Sequence, residues 1–419
     1  MSRIPKGVHL HLLPTSKFKT LLIQFRFKAL ITTDNITKRS LLASMMDINS
    51  KHYPNQSEFR KKLSELYGAN FYTDVSRYGQ YHVVTLNMEC VDEKIVSETG
   101  LFSDVMAFLH QVIFHPNANN GQFHEATFKR EIEKLRDDYA LRYDDKMTYA
   151  EDKLDKLYFE TREQQMTSYG HEDDLDEITP VALYDSYVKM INEDQLDIFV
   201  MGNTTETETL EKLKSFSFDP RSDLKESPFL INDDKNYFKE DNERQEINQT
   251  IITMGFQTPV YFHKQSYYAG IVFNGLFGSM PHAKLFQTIR EENNLAYSIS
   301  SELDAYRGML LVYAGVERKE VERVYGLIIN QLKKMCEGDF TEKELEQTKQ
   351  ILKNEIIQLE DTPYSMIEKT YNFSLIGQNE LTLEQWIDKI NQVSSKEVIE
   401  LAQQISHRAT FILIGENDE

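Results

Sequence analysis

The fold is decided by the stretch Phe59-Arg-Lys-Lys-Leu63, which Ala69 and Val83-Val-Thr-Leu86 follow. The same order of residues returns 227 positions later, as Phe286-Gln-Thr-Ile-Arg290, Ala296 and Leu310-Leu-Val-Tyr313. In both places a helical pattern precedes a pattern that is typical of a β-hairpin. Self-similarity at a fixed distance indicates an internal repeat. We therefore infer that the chain contains two copies of one fold.

Segments on either side of this stretch support the repeat. After the hairpin, each half has two long amphipathic patterns, an acidic break, a short helix and a closing strand. The acidic breaks are Asp144-Asp145 and Glu360-Asp361, and the closing strands are 196–202 and 410–415. The closing strands are only 213 residues apart, which indicates loop deletions in the second half, because loops drift while core elements persist.

Capping signals predict where several of these helices begin. Thr341-Glu-Lys-Glu344 and Ser394-Ser-Lys-Glu397 have the spacing of a capping box, and Thr179-Pro180 places a proline at the first helical position. The order of elements is neither a βαβ alternation nor a helical bundle. It predicts an α+β protein of two homologous domains, each a mostly antiparallel sheet with helices on one face.

The domain limits follow from the repeat and from composition. Residues 1–217 hold the first copy and residues 246–419 the second. Residues 218–245 are rich in Asp, Glu, Lys and Asn and show no sustained periodicity, so we expect a linker there. A chain of 419 residues also exceeds the size at which one hydrophobic core keeps growing.

Charge and hydropathy exclude several classes of protein. The chain has 47 Lys and Arg against 67 Asp and Glu, a net charge of −20, which repels nucleic acid as a partner. The longest apolar stretch is 14 residues, 267–280, too short for a membrane span of about 20 residues. The N-terminus lacks a signal-peptide pattern, and we expect a cytoplasmic protein.

No motif of independent catalysis stands in the sequence. Histidines at i and i+4 with a glutamate between them would predict a zinc peptidase, and the starts at His124-Glu and His171-Glu both lack the second histidine. A nucleophile elbow, a P-loop and a dinucleotide fingerprint are also absent from the sequence. Gly275-Leu-Phe-Gly278 is typical of close packing or a turn rather than of a phosphate site.

One block is more specific: Gly278-Ser-Met-Pro-His-Ala-Lys-Leu-Phe-Gln-Thr-Ile-Arg290-Glu-Glu-Asn-Asn-Leu-Ala-Tyr297-Ser-Ile-Ser300. It resembles the Leu-Phe-Gln-x-Leu-Arg-Glu-x-x-Gly-Leu-Ala-Tyr block in the second domain of the insulinase/pitrilysin-like metallopeptidases. The resemblance covers essentially the whole chain and is greatest to the YmfF-like branch, which is described as lacking the zinc motif. It implies a duplicated fold like that of the mitochondrial processing peptidase.

The resemblance also locates a degenerate zinc site in the first copy. The family's His-x-x-Glu-His positions correspond to Ser40, Ala43 and Ser44, and the distal glutamate ligand falls at or beside Asp138. Two imidazoles and a catalytic base are therefore missing, and water activation by zinc needs both ligands and base. We expect no metal cofactor in this chain.

The resemblance further implies a role for Arg290 and Tyr297. In relatives this pair faces the zinc from the second domain, where tyrosine donates to the developing oxyanion and arginine holds a substrate carbonyl or carboxylate. Read from the residues alone, Arg290 is a helix-end charge and Tyr297 a core aromatic of the hairpin. Asn293-Asn294 replaces the family's glycine, which asparagine can do because it also accepts left-handed backbone.

Two hypotheses of function follow. In the first, the chain is the non-zinc-binding subunit of a heterodimeric peptidase. A homologous sister subunit holds the zinc, and this chain supplies Arg290, Tyr297 and half of a chamber for a peptide substrate. In the second, it is a non-catalytic peptide-binding or scaffolding protein that keeps the fold only. A self-sufficient hydrolase with unrecognised ligands is the least supported alternative.

Overall fold

The structure, a computed structural model, describes residues 4–97, 99–231, 237–262 and 264–416. Strands of the first copy are Val8–Pro14 (β1), Thr20–Leu30 (β2), Asn70–Tyr78 (β3), Tyr81–Val91 (β4), Ala118–Asn119 (β5), Gln122–Phe123 (β6) and Gln195–Gly202 (β7). Strands of the second copy are Lys239–Gln245 (β8), Thr250–Gln257 (β9), Ala296–Asp304 (β10), Met309–Val316 (β11) and Ser406–Gly415 (β12). The closing strands predicted from the sequence are β7 and β12.

The helices connect these strands along the chain, singly or several in succession. In the first half they are Ile36–Ile48 (α1), Gln56–Glu65 (α2), Glu93–Val96 (α3), Leu101–Phe114 (α4), Glu125–Asp144 (α5), Lys146–Tyr158 (α6), Arg162–Gln165 (α7), Pro180–Glu193 (α8) and Glu206–Leu213 (α9). In the second half they are Ser266–Asn274 (α10), Val321–Glu337 (α11), Glu342–Leu359 (α12), Pro363–Leu375 (α13), Leu383–Gln392 (α14) and Ser395–Ala402 (α15). Short 3₁₀ turns lie at Glu172–Glu177 and Arg318–Glu320, and π-helical turns at Gly275–Ser279 and Phe286–Glu292.

The two main sheets have the same topology, which confirms the duplication. The first is ordered β1-β7-β2-β4-β3, and the second, read from its other end, β8-β12-β9-β11-β10. In the first sheet β1 pairs in parallel with the closing strand β7, and in the second β8 pairs in parallel with the closing strand β12. The remaining pairs of both sheets are antiparallel. The mostly antiparallel α+β fold predicted from the sequence is therefore confirmed.

Strand β8 shortens the linker that was predicted for residues 218–245. It pairs with β12 from Lys239 to Gln245, so the second copy begins before residue 246. The sequence hid this strand because it is an edge strand exposed over most of its length, and such a strand needs no apolar alternation. Residues 232–236 of the predicted linker lie outside the described residues.

Helices cover one face of each sheet and build its core. On the first sheet, Val105, Phe108 and Val112 of α4 point into the core at helical spacing. On the second sheet, α11, α12 and α15 contribute in the same way. The capping boxes at Thr341 and Ser394 and the cap at Thr179 are present, so the predicted helix starts are confirmed.

The second sheet is also covered on its opposite face, by α6. Ala150, Leu154 and Tyr158 pack there with apolar residues of β9, β11 and β12. The approach is close, because a Cβ atom added at Gly255 would lie 2.7 Å from the Tyr158 ring. Glycine at this position lets the helix approach the sheet.

The chain forms two compact units that are not continuous in sequence. Among the described residues, those before Leu141, Met166–Glu226 and Pro363–Glu368 form the first unit. Leu141–Gln165, Ser227–Thr362 and the residues from Lys369 onward form the second. Within the described ranges, no helix is both long enough and apolar enough to cross a membrane.

Candidate functional site

The degenerate zinc positions of the first copy lie on α1, where they are used for packing. Ser40 is 3% exposed, and its hydroxyl donates to the carbonyl of Ser168 at 3.0 Å. Ala43 is buried, and its carbonyl accepts a hydrogen bond from Thr73 Oγ1 at 2.7 Å. Ser44 is half-buried on the same helix. These positions have become part of the core and its edge.

The segment Met166–His171 lies directly on α1. A Cβ atom at Gly170 would come within 2.7 Å of Thr37 Cα, and Gly170 has a φ of +85°, so only glycine fits there without strain. The His171 amide donates to Thr37 Oγ1 at 3.1 Å. On α5, the Tyr139 hydroxyl donates to the Tyr169 carbonyl at 2.5 Å. The 166–171 segment is therefore fixed to both helices that carry the degenerate positions.

A buried histidine holds the same segment from the sheet side. His82 of β4 accepts a hydrogen bond from Arg39 Nε at its Nδ1, because arginine can only donate. Its Nε2 therefore carries the proton and donates to the Ser168 carbonyl at 2.8 Å. Burial, with Arg39 alongside, lowers the pKa of His82 to about 3, so the ring stays neutral. Arg39 is paired in turn with buried Asp194.

This set of residues does not fit a zinc ion. A catalytic zinc needs three protein ligands from His, Cys, Asp or Glu. Ser40 spends its hydroxyl on a carbonyl, Ala43 has no donor atom, and only half-buried Asp138 on α5 offers a carboxylate. In the part of the chain that the structure describes, no three such side chains are grouped to hold a metal. The residues at these positions therefore do not provide the ligands that a catalytic zinc ion needs.

In the second copy, Arg290 lies in the π-helical turn Phe286–Glu292, at the end of the helical segment as predicted. Its side chain is exposed, and its guanidinium lies 5.0 Å from the centre of the Phe286 ring. Among the described residues Arg290 makes no ion pair, and the Phe286 ring is the contact that orients its guanidinium. π-Helical turns occur mostly as short irregularities, often at functional sites.

The helix ends in a left-handed residue, as the Asn293-Asn294 pair predicted. Asn294 has a φ of +51°, and its amide donates to the Arg290 carbonyl at 3.1 Å. The next amide, that of Leu295, donates to the Ile289 carbonyl at 2.9 Å. These two bonds turn the chain directly into β10.

Tyr297 occupies a β-bulge at the start of β10. The ladder to β11 shifts register between Ala296 and Ser298, so Tyr297 is the extra residue of its strand. It is 61% exposed, and its hydroxyl has no hydrogen-bond partner within the described ranges. The reading of Tyr297 as a packed core aromatic is therefore wrong. A bulge re-aims a side chain, which explains how this one leaves the core face.

The structure thus separates the residues singled out in the sequence into two sets. Ser40, Ala43, Ser44 and Asp138 belong to the first compact unit, and Arg290 and Tyr297 to the second. Sequence reasoning did not find Ser168 or His82 in the first set, because backbone carbonyls and isolated strand histidines carry no motif. Gly275 and Gly278 prove to be close-packing positions, against Thr348 and Ser301 respectively.

Comparison with known proteins finds a family model and several relatives. A family model described as the peptidase M16 inactive domain matches residues 177–352. The probable inactive metalloprotease YmfF of Bacillus subtilis (strain 168) is 30% identical over 410 residues, which cover 98% of this chain and 96% of that protein. The uncharacterized zinc protease YmxG of the same organism is 31% identical over 165 residues, 39% of this chain and 40% of that protein.

A solved structure is similar over nearly the full length. The crystal structure of a conserved protein from Enterococcus faecalis V583 matches with a TM-score of 0.95 and 38% identity, covering 99% of this chain and 98% of that one. The chain therefore belongs to the peptidase M16 family, the insulinase/pitrilysin-like peptidases, and to its YmfF-like branch. The matching model and YmfF are both described as inactive.

Proposed function

We propose that this chain is the non-zinc-binding subunit of a two-chain cytoplasmic peptidase. It supplies Arg290, Tyr297 and half of a peptide-binding chamber, and a homologous sister subunit supplies the zinc that activates water. The observation that carries the proposal is Tyr297: an exposed hydroxyl, placed by a bulge, with no partner among the described residues. Because the bulge aims the Tyr297 ring away from the core, packing does not account for its placement, and we assign its hydroxyl to binding.

The chemistry assigned to Tyr297 is that of an oxyanion donor. As a peptide carbonyl is attacked, its oxygen gains negative charge, and the tyrosine hydroxyl donates a hydrogen bond to it. Because this interaction is stronger in the transition state than in the bound substrate, it accelerates the reaction. A fixed donor also costs little reorganisation when the charge develops.

Arg290 is assigned to substrate binding. Its guanidinium offers paired donors that match a carboxylate or a backbone carbonyl. Contact with the Phe286 ring orients the guanidinium. The N–H donors remain available to a substrate, because stacking on a ring face does not occupy them. The net charge of −20 favours peptide substrates over nucleic acid.

The alternative is a peptide-binding or scaffolding protein without a part in catalysis. It is favoured by the first copy, where Ser40 and Ala43 have been absorbed into packing. Under this alternative, Tyr297 contacts a partner or peptide only through its ring, and loss of the hydroxyl has little effect.

Mixing experiments separate the two. The chain is combined with a zinc-bearing M16 subunit of the same organism, and cleavage of a quenched fluorescent peptide mixture is measured. We expect cleavage only in the mixture, and a loss of about 10²-fold in Tyr297→Phe, the scale of one oxyanion donor. Tyr67→Phe, which removes a hydroxyl from another exposed tyrosine, is the matched control and should retain full activity. A mixture in which Tyr297→Phe is fully active supports the scaffold.

A further inference from the structure

Two side chains of α11 donate hydrogen bonds to the segment 288–293, which includes Arg290 and leads to Tyr297. Gln331 Nε2 donates to Thr288 Oγ1 at 3.1 Å, and Arg323 Nη2 donates to Asn293 Oδ1 at 3.1 Å. We infer that these four residues, the α11 clamp, position Arg290 and Tyr297 for the reaction. This inference rests on the proposed function, and it adds Arg323 and Asn293 as positioning residues of the same site.

Asn293 is the central piece of the clamp. Its Oδ1 accepts from Arg323, and its Nδ2 donates to the Thr288 carbonyl at 2.7 Å. Both bonds require the same orientation of the amide, because arginine only donates and a carbonyl only accepts. The side chain therefore ties the loop to the π-helical turn and to α11 at once.

Gln331 fixes the other end of the clamp. It is 2% exposed, so its amide must be hydrogen-bonded within the protein. Its partner, Thr288, lies in the π-helical turn two residues before Arg290. A π-helical turn is an irregularity of the α-helical pattern, and the bond from Gln331 supports this one from outside the turn.

The segment that the clamp holds is short and connects both functional side chains. Residues 291–296 include left-handed Asn294, and the amides of Asn294 and Leu295 donate to the carbonyls of Arg290 and Ile289. A shift of this segment displaces the Arg290 guanidinium and the Tyr297 hydroxyl together. Displacements of about 1 Å in a reacting group cost on the order of 10²-fold in rate.

The test combines hydrogen exchange with activity. Asn293→Ala should raise exchange at the Asn294 and Leu295 amides by about tenfold, the scale of one lost supporting hydrogen bond. In the mixed complex the same variant should lower activity by about tenfold to 10²-fold, mainly in kcat. Arg323→Lys keeps a donor and should restore most of the loss that Arg323→Ala causes. Lys333→Ala, an exposed cation of α11 that pairs with Glu337, is the control.

Epistasis distinguishes positioning from a merely structural role. In a background that already carries Arg290→Ala and Tyr297→Phe, Asn293→Ala should cause no further loss of activity, because residues that act as a unit are not additive. A full additional loss in that background contradicts the inference. So does unchanged exchange at Asn294 and Leu295. If the unmodified mixture is inactive, the proposed function fails, and exchange alone then decides whether the clamp orders this segment.

Discussion

The two copies differ at one joint, where a helix ends and an edge strand begins. In the first copy the joint runs from α2 to β3, and in the second from the Phe286–Glu292 turn to β10. At the repeat distance of 227 residues, Leu63 corresponds to Arg290 and Asn70 to Tyr297. Leu63 is 4% exposed and part of the first core, whereas Arg290 is exposed.

Backbone geometry explains how one joint produces two outcomes. Both helices end at a left-handed residue, Tyr67 in the first copy and Asn294 in the second. However, α2 is a regular α-helix and β3 pairs without a register shift, while the second copy has a π-helical turn and a bulge. A bulge re-aims the side chain of its extra residue, and a π-helical turn interrupts the regular helix. At the helix position the second copy exposes Arg290 where the first copy buries Leu63, whereas Asn70 and Tyr297 are both exposed.

Substitutions in the buried polar network of the first copy should lower the stability of the protein. Arg39→Met removes the partner of buried Asp194 and of His82, and it should lower the free energy of unfolding by about 3–5 kcal/mol, as expected for an orphaned buried charge. Urea denaturation followed by circular dichroism measures this. Arg60→Met is the control, because its pair with Asp47 is half-exposed, and it should cost at most about 1 kcal/mol. Equal losses in both variants would refute the structural role of Arg39.

The matched positions of the joint give the sharpest contrast. Leu63→Ala should cost about 2–5 kcal/mol of stability, because it leaves a cavity in a packed core. Arg290→Ala, at the corresponding position, should change stability by no more than about 0.5 kcal/mol, since it removes an exposed side chain. Thermal unfolding of the two variants side by side measures the difference. Comparable destabilisation would mean that Arg290 is a structural residue.

The pH dependence of stability should reveal His82. Its folded pKa of about 3 lies below the value near 6.5 of an unfolded chain, so the unfolded state binds more protons between these values. Stability should therefore fall as pH decreases from about 6.5 towards 3, by up to about 1.4 kcal/mol per pH unit from this group. His82→Gln should flatten that part of the profile relative to the unmodified chain. A profile that the substitution leaves identical would contradict the buried neutral ring.

The purified chain should bind no zinc, which is the smallest effect we expect. Ser40, Ala43 and Ser44 supply at most weak hydroxyl ligands, so the purified chain should contain no stoichiometric zinc. Elemental analysis after dialysis against dilute zinc measures this, with the zinc-bearing homologous subunit as the positive control. About one zinc per chain would overturn our account of the first copy.

The duplicated fold was predictable because its signals are local. Apolar alternation marked the closing strands, capping boxes marked α12 and α15, and the acidic breaks marked the ends of α5 and α12. By contrast, β8 is a charged, exposed edge strand, and it has no alternation of apolar residues from which it could be predicted. The packing of α6 on the second sheet depends on long-range contacts, which periodicity does not encode.

The sequence predicted which residues belong to the candidate site, but not how they are arranged. The motif located Arg290, Tyr297 and the replaced ligands, and the Asn293-Asn294 pair indicated left-handed backbone. Its geometry was not accessible, because a π-helical turn and a bulge each depend on one extra residue that tertiary packing accommodates. Likewise, the bond from Ser40 to the Ser168 carbonyl joins residues 128 positions apart and has no sequence signal.

The central claim is that the second copy has kept a working donor while the first has lost its chemistry. The most direct measurement is the cleavage rate of the mixed complex with Tyr297→Phe, compared with the unmodified mixture and with Tyr67→Phe. Our account predicts unchanged assembly, a stability within about 1 kcal/mol of the original chain, and a rate about 10²-fold lower for Tyr297→Phe alone. Full activity of that variant in a properly assembled complex would contradict the claim.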